Sequence, residues 1–271
     1  MWVDFSAPKK RTKQLLLHRN MAHSLMRGGY GIAVALLFSH CTPPTAASAP
    51  NPAARPANQL CIAGNACGPT AIVNSFRFGD DSWQHVATNI EGNNDAAILR
   101  HIILKHGGTW SASIPSRYRW SRRGVNAADL TDIANEIAQP FSQPHLQLHI
   151  PRQLSSPSDL LTGSFGKLSR SLQRGFPPTV GLRRYDHGMP IDSHFITIIA
   201  VADLLGKPTP QFSIRYVDPL GGKICYGKIR VDEGANKQHL GLIADLPQTP
   251  VGKSKSQNDS YLTLDSMIVM P

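Results

Sequence analysis

The sequence predicts an α+β fold, with helices in the first half of the chain and strands in the second. Between residues 67 and 175, several segments carry the apolar spacing of amphipathic helices. From residue 176 to 217, β-branched runs bounded by turn residues replace them. With 271 residues and 41% hydrophobic content, the chain is long enough to bury one substantial core.

Residues 1–47 have the features of a targeting segment. Six Lys and Arg residues against one Asp give this segment half of the formal net charge of +10. The apolar run at residues 30–38 is shorter than the about 20 residues of a spanning helix. It is typical of a signal-peptide core, with cleavage near Ala47. We therefore expect an exported protein, periplasmic or extracellular, without a stable membrane span in its mature form. A lipid anchor at Cys41 and an uncleaved N-terminal anchor stay open as alternatives.

Beyond the leader, residues 48–57 are expected to form a Pro-rich linker and residues 58–271 a single domain. Residues 48–271 carry a net charge of +5, which gives little reason to expect a nucleic-acid partner. Residues 252–254 match the end of a phosphate-binding loop motif, but the glycine that the motif requires upstream and a preceding strand are missing. The histidine pairs are explained better as surface residues than as metal ligands, so neither a metal nor another cofactor is expected.

The cysteine count indicates at least one free thiol. Outside the leader the chain has Cys61, Cys67 and Cys225, an odd number in a compartment that oxidises paired thiols. A bond from Cys61 to either of the other two stays open at this point. An unpaired cysteine is often only a small buried apolar residue.

Cys67 has a more specific context. It follows a Gly/Asn turn and precedes Gly68 and Pro69, after which apolar residues recur at helical spacing up to Phe78. Proline is favoured in a first helical turn, so a helix should begin at the cysteine. Unpaired N–H groups and the helix dipole stabilise anionic sulfur at that end. The sequence therefore predicts a reactive thiolate on a rigid helix.

Three further helices and two strands complete the predicted scaffold. The helices are expected at residues 96–106, 127–138 and from 158 to 175, the second capped by Asn126 and Asp129. A first strand is expected at residues 176–182, and residues 261–270 should add an edge strand.

A base and an orienting carboxylate follow on a predicted hairpin. His194 stands at the entrance of a buried strand, residues 195–201, and Asp218 ends the next strand, residues 211–217. Antiparallel pairing would bring the two side chains together, so that the carboxylate fixes the imidazole tautomer. With Cys67 they would form a nucleophile, a base and an orienting group.

These motifs resemble a known family. The chain resembles papain-like cysteine peptidases of the bacteriocin-processing, double-glycine-leader type and their stand-alone relatives. Three motifs carry the resemblance: CGPTA at the start of a helix, then SHFITIIAV, then YVDP followed by Gly-Gly. The resemblance spans about residues 58–230. It implies a papain-like fold, in which a helical half with the nucleophile helix packs on an antiparallel sheet. It also implies a peptide or protein substrate in the cleft.

The resemblance further implies catalytic roles for Cys67, His194 and Asp218, and an upstream glutamine in the oxyanion hole. Gln59 lies eight residues before Cys67, slightly farther than in the family, and is the best candidate for this role. Asn65 is the alternative amide donor, and the Cys67 N–H would be the second donor in either case.

The expected function is that of an exported cysteine peptidase that hydrolyses peptide bonds through an acyl-enzyme. Two alternatives remain. One is a peptide acyl-transferase of the same architecture, and the other is a non-catalytic module that binds peptides. Shared architecture does not transfer a substrate, so the substrate stays open.

Overall fold

The structure is a computed structural model that describes residues 46–151, 156–205, 210–231, 241–249 and 260–271. Residues from Thr42 onward group into one compact unit. The expected signal-peptide core, the lipid-anchor alternative at Cys41 and the phosphate-loop imitation at residues 252–254 lie outside the described residues. Helices and an antiparallel sheet make up the described part, in agreement with the α+β prediction.

The helices follow one another in the first two thirds of the chain. They are α1 (Cys67–Phe78), α2 (Asp81–Asn89), α3 (Asp95–His101), α4 (Ala127–Ala138) and α5 (Pro157–Gln173). A π-helical turn, Ile102–Gly107, continues α3, and short 3₁₀ turns occupy Gln59–Cys61 and Gln139–Phe141.

The strands are concentrated toward the C-terminus. They are β1 (Ala47–Ser48), β2 (Trp120–Ser121), β3 (Gly124–Val125), β4 (Gln147–His149), β5 (Thr179–Asp186), β6 (Met189–Leu205), β7 (Gln211–Asp218), β8 (Lys223–Val231), β9 (Leu242–Asp245) and β10 (Ser260–Val269).

Helix starts agree closely with the sequence signals. Asn126 accepts a hydrogen bond from the Asp129 N–H and begins α4 at the predicted residue. The cap of α5 is Ser156, so this helix begins one residue earlier than predicted. Sequence reasoning missed α2, although Asp80 carries its cap signal and accepts from two N–H groups of the first turn.

The sheet closes on itself. Antiparallel pairs run in the order β6, β5, β10, β9, β8, β7, and β7 pairs with β6 again. The prediction of an edge strand at residues 261–270 is therefore wrong, because β10 lies between β5 and β9. Its apolar sequence agrees with pairing on both sides. β1 and β4 pair with β6 and β10 outside this ring.

In the β5–β6 hairpin, strand β6 extends beyond the apolar run at residues 195–201. β5 begins at Thr179 rather than at residue 176, and β6 begins at Met189, so His194 lies inside the strand and not at its entrance. Residues 189–193 are exposed and lack a buried face, which is why apolar periodicity did not reveal them.

Residues 47–57, which include the expected linker, pack on the domain. Ala47 pairs with Val201, and the Ala49 N–H donates to the Ile199 carbonyl over 2.7 Å. Ala57 is fully buried, and its N–H donates to Asn74 Oδ1 over 2.7 Å. This segment is therefore part of the folded unit.

Two apolar clusters form the core. One fills the space between the sheet and α5, and the other surrounds α1, α2 and α4 and includes Phe195 of β6. Buried residues occur all around α1, which makes this helix the most enclosed platform for a side chain at its N-terminus.

Among the described residues, the structure has no helix with the length and apolar character needed to cross a membrane.

Candidate active site

Cys67 is the first residue of α1, as the sequence predicted. The first helical bond runs from the Thr70 N–H to the Ala66 carbonyl, so the N–H groups of Cys67 and Gly68 precede it. No side chain caps this helix end. The half-buried thiol thus lies beside N–H groups that favour negative charge.

Two buried hydroxyl contacts fix α1 against the sheet. Thr197 Oγ1 of β6 donates to the Ala71 carbonyl over 2.7 Å, and Ser75 and Thr179 share a 2.8 Å bond between their hydroxyls. Thr197 lies three residues after His194 on the same strand. The first contact therefore sets the position of the nucleophile helix relative to the base.

Gly68 allows α1 to approach its neighbours closely. A Cβ at this position would lie 2.5 Å from Val125 Cγ1 and 3.2 Å from Leu130 Cδ2. It would also lie 3.4 Å from Phe195, the residue after His194. A side chain here would clash first with Val125, so the start of α1 or its neighbours would have to shift.

His194 and Asp218 are brought together by the antiparallel pairing of β6 and β7, as predicted. Thr197 lies opposite Val217, which places the preceding part of β6 beside the end of β7. His194 Nε2 and Asp218 Oδ1 are 2.8 Å apart. Both side chains are nearly inaccessible, with 4% and 1% of the surface of each residue exposed. Burial makes this charge-assisted bond strong and specific.

The imidazole also interacts electrostatically with the Cys67 side chain, which lines the same cavity. Because Nε2 of His194 is bonded to Asp218, Nδ1 is the ring nitrogen available to the Cys67 sulfur. Burial lowers the pKa of His194, but the hydrogen bond to Asp218, the nearby Cys67 side chain and the charges of both outweigh it and raise the pKa to about 9. With this raised pKa, His194 carries a proton at neutral pH.

Asp218 has a full set of hydrogen-bond donors. Its Oδ1 also accepts from the Leu220 N–H over 2.9 Å, and its Oδ2 accepts from Thr249 Oγ1 over 2.6 Å. Burial tends to raise the pKa of Asp218, but the hydrogen bond and charge of His194, with the bonds from Thr249 and Leu220, hold it below its ordinary value. The orienting carboxylate thus stays ionised.

Sequence reasoning missed Thr249. This threonine is fully buried in a turn after β9, and its hydroxyl also bonds the Tyr216 hydroxyl over 3.0 Å. A threonine between glutamine and proline carries no local signal of such a role, and only the closed sheet brings it to Asp218.

Gln59 is held close to the same site. Its N–H donates to the Pro219 carbonyl over 3.0 Å, and Asn58 Oδ1 accepts from the Gly221 N–H over 3.1 Å. These bonds attach the 3₁₀ turn to the loop that follows Asp218. Gln59 Nε2 donates one hydrogen to the Gly64 carbonyl over 2.5 Å, and its Oε1 has no hydrogen-bond partner. One N–H of the amide remains for an incoming oxygen.

Asn65, the alternative amide donor, is engaged elsewhere. Its Nδ2 donates to the Arg122 carbonyl over 2.8 Å and to the Ser121 carbonyl over 3.3 Å. Both amide hydrogens are used, so this alternative is not supported. Asn65 instead fastens the β2–β3 hairpin to the loop before the nucleophile.

A cavity of about 480 Å³ opens onto these residues. Gln59, Asn65, Cys67 and His194 line it together with three arginines, Arg122, Arg123 and Arg184. A larger cavity of about 830 Å³ is lined by residues of α2, α3 and the segment before Gln59, and includes none of Cys67, His194 and Asp218. The smaller cavity brings the thiol and the imidazole to one space.

All three described cysteines are free thiols. Cys61 is exposed and Cys225 is buried, so neither pairing considered from the sequence is formed. Burial raises the pKa of the Cys225 thiol and also that of the Cys61 thiol. Cys67 differs from both because it has an imidazole partner.

The chain matches no protein-family model, and comparisons with curated proteins and with solved structures give no match. The papain-like resemblance accordingly stays an expectation from the motifs. What the structure establishes is a mixed fold of helices and an antiparallel sheet that brings Cys67, His194 and Asp218 together.

Proposed function

We propose that the protein is a cysteine peptidase that hydrolyses peptide bonds through an acyl-enzyme. One observation carries the proposal: a thiol at a helix N-terminus shares a cavity with a buried imidazole whose Nε2 lies 2.8 Å from a buried carboxylate. This constellation combines an activated nucleophile with a general acid and base.

The residues support a balanced reaction. His194 carries the proton of Cys67, and the thiolate attacks the carbonyl carbon of the scissile bond. When the tetrahedral intermediate collapses, the C–N bond breaks and the leaving nitrogen takes the proton from His194. A water molecule then gives a proton to His194 and attacks the thioester. Cleavage of the C–S bond releases the acid and restores the thiolate–imidazolium pair.

The oxyanion would form beside two donors. The Cys67 N–H lies at the open helix end, and Gln59 Nε2 keeps one hydrogen that Gly64 does not use. A single donor of this kind is worth about 100- to 1,000-fold in kcat in known enzymes. The attachment of Gln59 to the loop after Asp218 favours a fixed position for the amide.

The features of the leader support a proposal of export. The peptidase would then act in the periplasm or outside the cell, on a peptide or protein substrate.

The test combines thiol labelling with digestion of a peptide library. Iodoacetamide should label Cys67 rapidly at pH 7, and Cys67→Ala and His194→Ala should abolish cleavage while the circular dichroism spectrum is kept. Cys61→Ala, which removes an exposed thiol, is the matched control and should still cleave. Slow labelling of Cys67, no faster than that of Cys61, would argue against the proposal.

Mass spectrometry of the products separates the alternatives. Incorporation of an added amine in place of water would assign acyl transfer to the same site. Saturable peptide binding that survives Cys67→Ala, without cleavage by the wild type, would assign a binding module.

A further inference from the structure

The cavity at Cys67 has an excess of positive charge. Arg122, Arg123 and Arg184 line it, and Asp192 is the carboxylate in the same lining. Three guanidinium groups against one carboxylate leave two net positive charges in the lining, and one after the ionised Asp218 beside His194 is counted. The thiolate–imidazolium pair adds no net charge, so an anionic ligand is favoured.

The two neighbouring arginines occupy the tip of a short hairpin. Ser121 pairs with Gly124, which leaves Arg122 and Arg123 as the two turn residues between β2 and β3. Gly124 has a φ of +78°, a conformation that favours glycine in such a turn. The arginines are thus presented by a defined turn.

Hydrogen bonds hold this turn at the nucleophile. Asn65, two residues before Cys67, donates to the Arg122 carbonyl over 2.8 Å. On the other strand, Arg117 donates to the Gly124 carbonyl over 3.0 Å. Because both sides of the turn are fastened, the arginines need little further ordering to bind a ligand.

Neither arginine is neutralised by the protein. Both side chains are exposed, and within the described ranges no carboxylate forms an ion pair with Arg122 or Arg123. By contrast, Arg77, Arg119 and Arg183 are each paired with an Asp or Glu. Arg122 and Arg123 are thus two unpaired cations in the lining of the cavity that holds Cys67.

We propose that Arg122 and Arg123 bind a carboxylate of the peptide substrate while Cys67 attacks its neighbouring carbonyl. This inference rests on the proposed function and names its substrate class. Guanidinium groups bind carboxylates through two parallel hydrogen bonds, which gives both orientation and affinity. The carboxylate comes either from an acidic side chain near the scissile bond or from the C-terminus of the peptide.

The first experiment uses small alkylating probes of different charge. Iodoacetate and iodoacetamide are each reacted with the full chain, and modification of Cys67 is followed by mass spectrometry. The rate with iodoacetate divided by the rate with iodoacetamide should fall about three- to tenfold in Arg122→Gln/Arg123→Gln. This is the effect expected when two positive charges are removed from a partly solvated site. High salt should lower the ratio in the wild type. Arg174→Gln removes one positive charge from an exposed arginine at the end of α5, outside the cavity lining, and should keep the wild-type ratio.

The second experiment identifies the source of the carboxylate. Peptides that place Glu or Gln at each position near the scissile bond are compared, each with a free or an amidated C-terminus. For the wild type, kcat/KM should be about tenfold higher or more in one of two comparisons. Either a peptide with Glu at one position exceeds the same peptide with Gln there, or a free C-terminus exceeds an amidated one. The double variant should lose this preference.

The outcomes separate the inference from the proposed function. Equal cleavage of acidic and neutral peptides, with a rate ratio unchanged in the double variant, would overturn the inference and leave the peptidase intact. If neither alkylating agent labels Cys67, the proposed function fails and the inference fails with it.

Discussion

Thr249 Oγ1 lies 2.6 Å from Asp218 Oδ2, and both residues are buried. The hydroxyl donates to the carboxylate oxygen that His194 does not use. His194 Nε2 thus faces a carboxylate whose two oxygens are both fixed, which restricts the rotation of Asp218 and, through it, the orientation of the imidazole. Thr249 is a positioning residue that acts through Asp218.

Thr249→Val should slow the reaction of Cys67 with iodoacetamide and lower stability by about 1–3 kcal/mol, because Asp218 Oδ2 loses its buried donor. Since Thr249 helps hold the pKa of Asp218 down, the acid limb of the labelling profile should move to higher pH. Thr249→Ser keeps the hydroxyl and should restore the profile. A valine variant with the wild-type acid limb would show that the hydroxyl serves stability alone.

The stability contributed by His194 should decrease between pH 6.5 and about 9. The folded pKa of His194 lies above the ordinary value of 6.5, and its hydrogen bond to Asp218 raises the pKa in a Cys67→Ser background as well. In that background no thiol gives its proton to the imidazole, so the folded state binds more protons than the unfolded state in this window. The contribution is fully present below pH 6.5 and is lost as pH rises through 9. Urea unfolding of Cys67→Ser and of Cys67→Ser/His194→Gln should give a free-energy difference that narrows across this range. Parallel curves would contradict the assigned protonation.

Gly68→Ala should lower both stability and reactivity. The new methyl group meets Val125 at 2.5 Å, and overpacking of this kind costs about 1–3 kcal/mol. Because relief of the clash moves the start of α1, labelling of Cys67 by iodoacetamide should slow as well.

Gly166→Ala is the matched control for this substitution. Gly166 lies inside α5, and a Cβ there has no neighbouring atom within 4 Å. Alanine should therefore raise stability by about 0.5–1 kcal/mol through helix propensity alone, without changing the labelling rate. A stable, fully reactive Gly68→Ala would show that the close approach of α1 to its neighbours is not needed.

Local signals in the chain were sufficient for the starts of α1 and α4 and for the choice of the three candidate site residues. Pro69 marks the first turn of α1, and Asn126 caps α4 at the predicted residue. The pairing of β6 and β7 was foreseen because consecutive antiparallel strands joined by a short loop are usually neighbours. Such features depend on residues close together in sequence.

Features that depend on distant contacts were missed or misjudged. β10 was expected at an edge, but β9 and β5 flank it on both sides. Asn65 was considered an amide donor, yet its amide holds the hairpin that carries Arg122 and Arg123. In each case the partner is a segment far along the chain, whose approach leaves no periodic pattern.

The sequence by itself determined that a cysteine begins a helix and that a histidine and an aspartate share a hairpin, because caps, turns and apolar periods act over a few residues. Only the tertiary structure decided how these groups are supported. Closure of the sheet brings Thr249 to Asp218, and packing of α1 on β6 brings the thiol to the imidazole. Those contacts form because the buried apolar faces have a single compatible packing, and polar groups enclosed with them must find partners there.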